Sequence, residues 1–213
     1  MKYLSTPSGA ALALALGFAL LFNPLTRFPF TMIVVIGFVL LLTWIRFKSV
    51  SRLGFASFRW RELEIALALF VPLEIAMDFL IQPEASLIFK EPADYSAFNF
   101  IEGDLPNYLK YLAFMWISAA FGEELFFRAF AFLQLETVFG RRDSLNVLLS
   151  AILFSLPHLY QGPTGLVVTF AFGLAFAAVY AKWRNIWINI VIHGLVDTLF
   201  LTLAYFGMLS FYD

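Results

Sequence analysis

The chain has 213 residues, 62% of them hydrophobic and 14% charged, with a net charge of -1. Soluble globular chains sit near about 45–50% apolar and about 25% charged. The composition therefore excludes a water-soluble core with a polar skin, intrinsic disorder and, for want of a basic stripe, a nucleic-acid interface. With no Cys and two His, a disulfide framework, a thiol nucleophile and Cys-based zinc or iron–sulfur sites are also excluded. Any chemistry must be built from carboxylates, two imidazoles, Arg and hydroxyls.

Apolar runs of roughly 17–25 residues cross a bilayer core as helices, which satisfy every backbone group internally. The first run, Gly9 to Phe22, is short and follows a thin basic start, Met1-Lys2. The residues after it, Phe22-Asn23-Pro24-Leu25, hold no A-x-A-like cleavage site, so a retained span is expected rather than a signal peptide. The second run is Phe30 to Ile45. Arg52 to Glu62 then mixes Phe, Trp and Arg and reads as a helix lying in the interface, with a plain loop as the alternative. The third run is Leu63 to Ile81. Gln82 to Asn107, with five acids and Pro83, Pro92 and Pro106, reads as one long external loop. Four more runs follow: Tyr108 to Phe139, Leu145 to Leu159, Leu166 to Ala181 and Ile186 to Tyr205. None alternates polar and apolar residues as a barrel strand does. The expected fold is an all-α polytopic membrane helix bundle with about 7 (7–8) transmembrane helices.

Lys and Arg in the loops set orientation. Lys2, Arg46, Lys48, Arg52, Arg59, Arg61, Arg141, Arg142, Lys182 and Arg184 fall on one face, against Arg27, Lys90 and Lys110 on the other. Seven crossings then place the N-terminus in the cytoplasm, with Trp44, Trp60, Trp183 and Trp187 near the cytoplasmic edge.

Ionisable side chains inside spans are costly and are functional hypotheses by default. Here they are Glu74, Asp78, Glu123, Glu124, Arg128, Glu136, His158, His193 and Asp197. On an α-helix Glu124 and Arg128 stand at i, i+4 with the acid first, the favoured order, so Arg128 neutralises Glu124. Glu123, five residues from Arg128, faces elsewhere and remains the free carboxylate, suited to act as a general base for water. A plain ion-pair knot of the three is the bland alternative. Asn189, His193 and Asp197, at i, i+4 and i+8, form one polar stripe, either a site or an interhelical seam. Pro157 breaks the fifth span at His158. Glu74 and Asp78 share a face, where like charges repel, and are expected at most to support the site, Glu74 by lining a water path or pairing with Arg128.

No H-E-x-x-H motif, no rhomboid-type serine and no complete aspartyl G-x-G-D motif is present. What remains is E-E-x-x-x-R at 123–128, F-x-x-x-H at 154–158 and H-x-x-x-D at 193–197. In these three motifs, over roughly residues 108 to 205, the chain resembles the CAAX-protease and bacteriocin-processing (CPBP, or Abi) family of intramembrane endopeptidases. Glu123, Glu124 and Arg128 match its first motif, Phe154 and His158 its second, His193 and Asp197 its third. The resemblance implies hydrolysis of a peptide bond in a membrane-associated protein or peptide, at a C-terminal tail, sorting signal or leader. It implies that Glu123 and His158 hold and activate water while His193 and Asp197 stabilise the oxyanion. An ionised Asp cannot donate to an oxyanion. Asp197 is therefore protonated, or orients His193 and stabilises its imidazolium, or ligates a metal.

No cofactor is expected. The alternative is a divalent zinc-like ion on Glu123, His158, His193 and Asp197. Residues 1–107 are expected to supply N-terminal spans, the interfacial segment and the external loop, and 108–213 the catalytic core, within one structural domain. The expected location is a prokaryotic cytoplasmic membrane and the expected partners are lipid and a membrane-anchored substrate. A non-catalytic scaffold or immunity-type binding protein and a proton-coupled transporter are the competing readings.

Overall fold

A computed structural model describes residues 3–212, so Lys2 of the orientation count lies outside the described residues. The fold is all-helical, with 83% helix, and no strand occurs among the described residues. Helix α1 (Pro7–Leu20) starts where Thr6 Oγ1 accepts the Gly9 N–H at 3.1 Å and Pro7 takes a first-turn position that needs no donor. Helix α2 (Phe30–Phe47) ends in a left-handed Lys48, whose N–H closes on the Trp44 carbonyl at 2.7 Å.

The interfacial helix expected over Arg52 to Glu62 does not form. A short 3-10 turn (Ser51–Leu53) is followed by irregular chain, and α3 begins at Trp60. The backbone there is committed elsewhere. The Gly54 carbonyl accepts from Ile186 N–H at 3.1 Å and the Ala56 carbonyl from Trp187 Nε1 at 3.0 Å. Gly54 adopts a φ of 73°, and a Cβ there would lie 2.8 Å from the Tyr180 hydroxyl, so the position requires glycine. Glu62 accepts the Arg59 N–H at 2.9 Å and starts α3.

The free loop expected over Gln82 to Asn107 is also corrected. Helix α3 (Trp60–Ala76) runs on through a π-helical turn (Met77–Ile81) into α4 (Gln82–Phe89). Pro83 lacks an N–H and crowds the preceding turn, and the widened turn just before it absorbs that defect. The remainder is pinned to the bundle: Asp94 N–H to the Gln161 carbonyl (2.9 Å), Thr164 Oγ1 to the Glu91 carbonyl (2.7 Å) and Gly103 N–H to the Tyr205 carbonyl (2.9 Å). Asp104, one of the supposed loop acids, caps α5 by accepting the Asn107 N–H at 3.0 Å.

Helix α5 (Leu105–Met115), a long π-helical segment (Trp116–Phe130) and α6 (Ala131–Phe139) form one continuous rod. Helix α7 (Asp143–Ser155) turns through a 3-10 stretch (Leu156–Gln161) into α8 (Gly162–Trp183), and α9 (Ile186–Tyr205) follows under an Asn185 cap. The described residues thus make seven helical rods. The π-helical segment is the axis. Helices α2 and α9 pack on it, α1 on α6, α3 on α9, and α4 and α7 on α8. Its Leu125, Phe126, Phe127 and Phe130 are almost wholly buried.

The outer faces are apolar, with Leu12, Leu16, Ile33, Leu41, Val71, Ile75 and Leu148 all exposed. So large an apolar exterior belongs against lipid. Phe30–Phe47, Asp143–Trp183 and Ile186–Tyr205 are long and apolar enough to cross a membrane, the second of these comprising α7, its turn and α8. Pro7–Leu20 is a shorter apolar helix. The protein is an integral membrane protein.

Candidate active site

Small residues let the elements that carry the polar side chains approach closely. Ser118, Ala119 and Ala120 are buried along the π-helical segment. On α9, a Cβ at Gly194 would lie 2.5 Å from the Trp116 ring. Trp116 Nε1 donates to Thr198 Oγ1 at 3.1 Å, and Tyr108 and Thr202 hydroxyls meet at 3.0 Å. These bonds set the register of α9, and hence of His193 and Asp197, against the rod that carries Glu123 and Glu124.

The two adjacent glutamates separate. Glu124 is fully buried. Its Oε1 accepts from His193 Nδ1 at 2.8 Å and lies 3.1 Å from Arg128 Nη1. Arg128 is equally buried, its guanidinium carbon 4.0 Å from the centre of the Phe154 ring and 5.1 Å from that of Phe176. The expected Glu124–Arg128 pair is therefore present, enclosed in aromatic rings, but the segment is π-helical rather than α-helical. Its i→i+5 register also brings residue 123 over residue 128, so spacing alone does not choose between the two acids. Contact with His193 does. Glu123 lies instead on the wall of a cavity of about 440 Å³, together with His158, His193 and Asp197.

His158 sits on the 3-10 turn that Pro157 opens. Its Nδ1 is 3.0 Å from the Phe154 carbonyl, an acceptor, so Nδ1 carries hydrogen and Nε2 keeps the lone pair. The His193 ring stacks on Phe176 with centres 5.0 Å apart. With Nδ1–H given to Glu124, its Nε2 is the other ring nitrogen, 3.7 Å from Asp197 Oδ2. The polar stripe on α9 divides: Asn189 turns away and donates to the Phe176 carbonyl at 2.8 Å.

Of the six predicted residues, Glu123, His158, His193 and Asp197 line the cavity, while Glu124 and Arg128 stand behind its wall. Glu74 also lines the cavity and makes no ion pair with Arg128 among the described residues. Glu136, counted among the membrane charges, pairs with Arg184 at 2.7 Å, far along α6 from the cavity. Sequence reasoning missed Tyr160, Gln82 and Tyr95 on the cavity wall. Tyr160 was within reach, two residues beyond His158 on the same turn. Gln82 and Tyr95 belong to the segment misread as a loop.

Among the described residues, no three His, Asp or Glu side chains converge as metal ligands.

Residues 105–199 match the family model described as type II CAAX prenyl endopeptidase Rce1-like. The matched segment carries all six residues. The resemblance read from the three motifs is thereby shown. No curated protein and no solved structure matches the chain.

Proposed function

We propose that the protein is an intramembrane endopeptidase that hydrolyses a peptide bond of a membrane-anchored protein or peptide, with Glu123 as general base. The observation that carries this reading is the division of labour between the adjacent acids. Glu124 is engaged by Arg128 and His193, whereas Glu123 faces the cavity beside both histidines.

Glu123 takes a proton from water as the water oxygen attacks the carbonyl carbon. His158, its Nδ1–H tied to the Phe154 carbonyl, offers Nε2 to hold that water. The tetrahedral oxyanion forms beside His193. An imidazolium there donates Nδ1–H to Glu124 and Nε2–H to the oxyanion, while Asp197 steadies the cation. This arrangement removes the difficulty of an ionised Asp beside an oxyanion, because the donor is His193. Glu123 then returns its proton to the leaving amine as the C–N bond breaks. The excess of Lys and Arg in one set of loops supports a cytoplasmic N-terminus.

The test is Glu123→Gln in purified, nanodisc-embedded protein offered membrane-anchored peptides. Turnover should fall by about two to four orders of magnitude with the unfolding midpoint unchanged. Cleavage at the unsubstituted rate would remove Glu123 as the base.

A further inference from the structure

The cavity wall holds four carboxylates, Glu74, Asp78, Glu123 and Asp197, and no Lys or Arg. The mechanism uses two of these acids. Glu74 and Asp78 come from α3 and the π-helical turn that follows it, and both precede the family segment that begins at residue 105. Glu74 is only 8% exposed, and its Oε1 is buried without a hydrogen-bond partner. Apart from His193, which Glu124 and Asp197 already flank, the elements packed against this stretch offer Glu74 and Asp78 no compensating cation. Helix α9 contains no Lys or Arg, α8 carries only Lys182 near its far end, and Arg128 is held by Glu124 behind the wall.

The surroundings are built to stay in place. Gln82, one turn beyond Asp78, donates to the Tyr212 carbonyl at 2.7 Å and accepts from the Tyr95 hydroxyl at 3.3 Å. The Tyr95 and Tyr212 rings pack edge to face, 5.4 Å apart, beside the acids. A buried, unpaired carboxylate with a second acid one turn away and aromatic faces alongside is complementary to a cation on a long, flexible stem.

We propose that Glu74 and Asp78 form a subsite that receives a basic side chain, lysine or arginine, of the substrate peptide while its scissile bond lies at Glu123. The word substrate rests on the endopeptidase reading; the recognition of a cation does not. The preference follows from low dielectric. A group that supplies the positive charge satisfies Glu74, whereas a neutral side chain of the same length leaves it unpaired.

The experiment uses the full chain carrying Glu123→Gln in nanodiscs, so that bound peptide stays intact. Fluorescently labelled peptides with a hydrophobic anchor, acetylated and amidated, carry one Lys walked through the segment next to the anchor. Each has a norleucine counterpart. At one Lys position binding should be about tenfold tighter or more than for norleucine, and Glu74→Gln or Asp78→Asn should erase the difference. Equal binding of Lys and norleucine peptides at every position overturns the subsite without need of any Glu74 variant, as does a preference that survives both substitutions. Peptides that bind with the Lys preference, yet are never cut by protein retaining Glu123, refute the endopeptidase reading and leave the subsite standing.

Discussion

Arg128→Met takes the guanidinium out of the compartment formed by Glu124, His193, Phe154 and Phe176 while keeping similar length and bulk. Both members of the ion pair are fully buried, and their closest N–O distance is 3.1 Å. Removing one partner of such a pair costs about 3–5 kcal/mol, because the other charge stays behind uncompensated. The cation over Phe154 at 4.0 Å adds to the loss, and a thioether against the same ring returns about 0.3–1.5 kcal/mol. Arg128→Met should therefore destabilise the fold by about 3–5 kcal/mol, and Glu124→Gln by a similar amount. The double variant leaves no uncompensated charge and should be less destabilised than either single one. The assay is reversible unfolding in mixed micelles, followed by helicity as a denaturing detergent is titrated in. Independent sites add within about 0.3–0.5 kcal/mol. If the two substitutions sum to within that margin, Glu124 and Arg128 are not coupled and the assignment of Glu124 to a supporting role fails.

Other substitutions separate chemistry from packing. His158→Ala removes the ring proposed to hold water but only one hydrogen bond on an otherwise pinned turn. Its turnover should fall by about a hundredfold or more, with KM nearly unchanged in the same peptide-cleavage assay. Gly194→Ala brings a Cβ to 2.5 Å from the rigid Trp116 ring and strains the Trp116–Thr198 bond, costing about 1–3 kcal/mol in the unfolding titration. Glu136→Gln, at a pair whose Arg184 side chain is 35% exposed, should cost below about 1 kcal/mol. A loss as large as that of Glu124→Gln would show that the two membrane acids had been ranked wrongly.

The apolar runs were legible because lipid demands long uninterrupted helices, and their ends moved by only a few residues in the structure, except the third, whose helix continues to Phe89. Two connections were not. Arg52 to Glu62 has the composition of an interfacial helix, but its backbone groups are claimed by Ile186 and Trp187, more than a hundred residues away, and no local pattern announces that claim. Gln82 to Asn107 looked loop-like because of its prolines and acids. Pro83 follows a π-helical turn that carries the helix past it, and Asp104 is a cap rather than a solvated charge. The acids that line the cavity from the N-terminal half were seen as anomalies in a span. That they face the same cavity as His193 depends on the packing of α3 on α9, which periodicity does not specify.

The pairing of Glu124 with Arg128 was expected for a reason that does not hold on this backbone. In an α-helix the i, i+4 relation selects Glu124 and turns Glu123 aside. In the π-helical segment Arg128 is in register with Glu123 as well, so the choice is made by neighbours outside the motif. Phe154 and Phe176 hold the guanidinium on the buried side, and His193 Nδ1 meets Glu124 there. Two of these three neighbours, Phe154 and His193, belong to the second and third motifs. The motifs are thus not three separate catalytic pieces. The aromatic ring of one and the imidazole of another decide which glutamate of the first is used up in the wall and which is left facing the cavity.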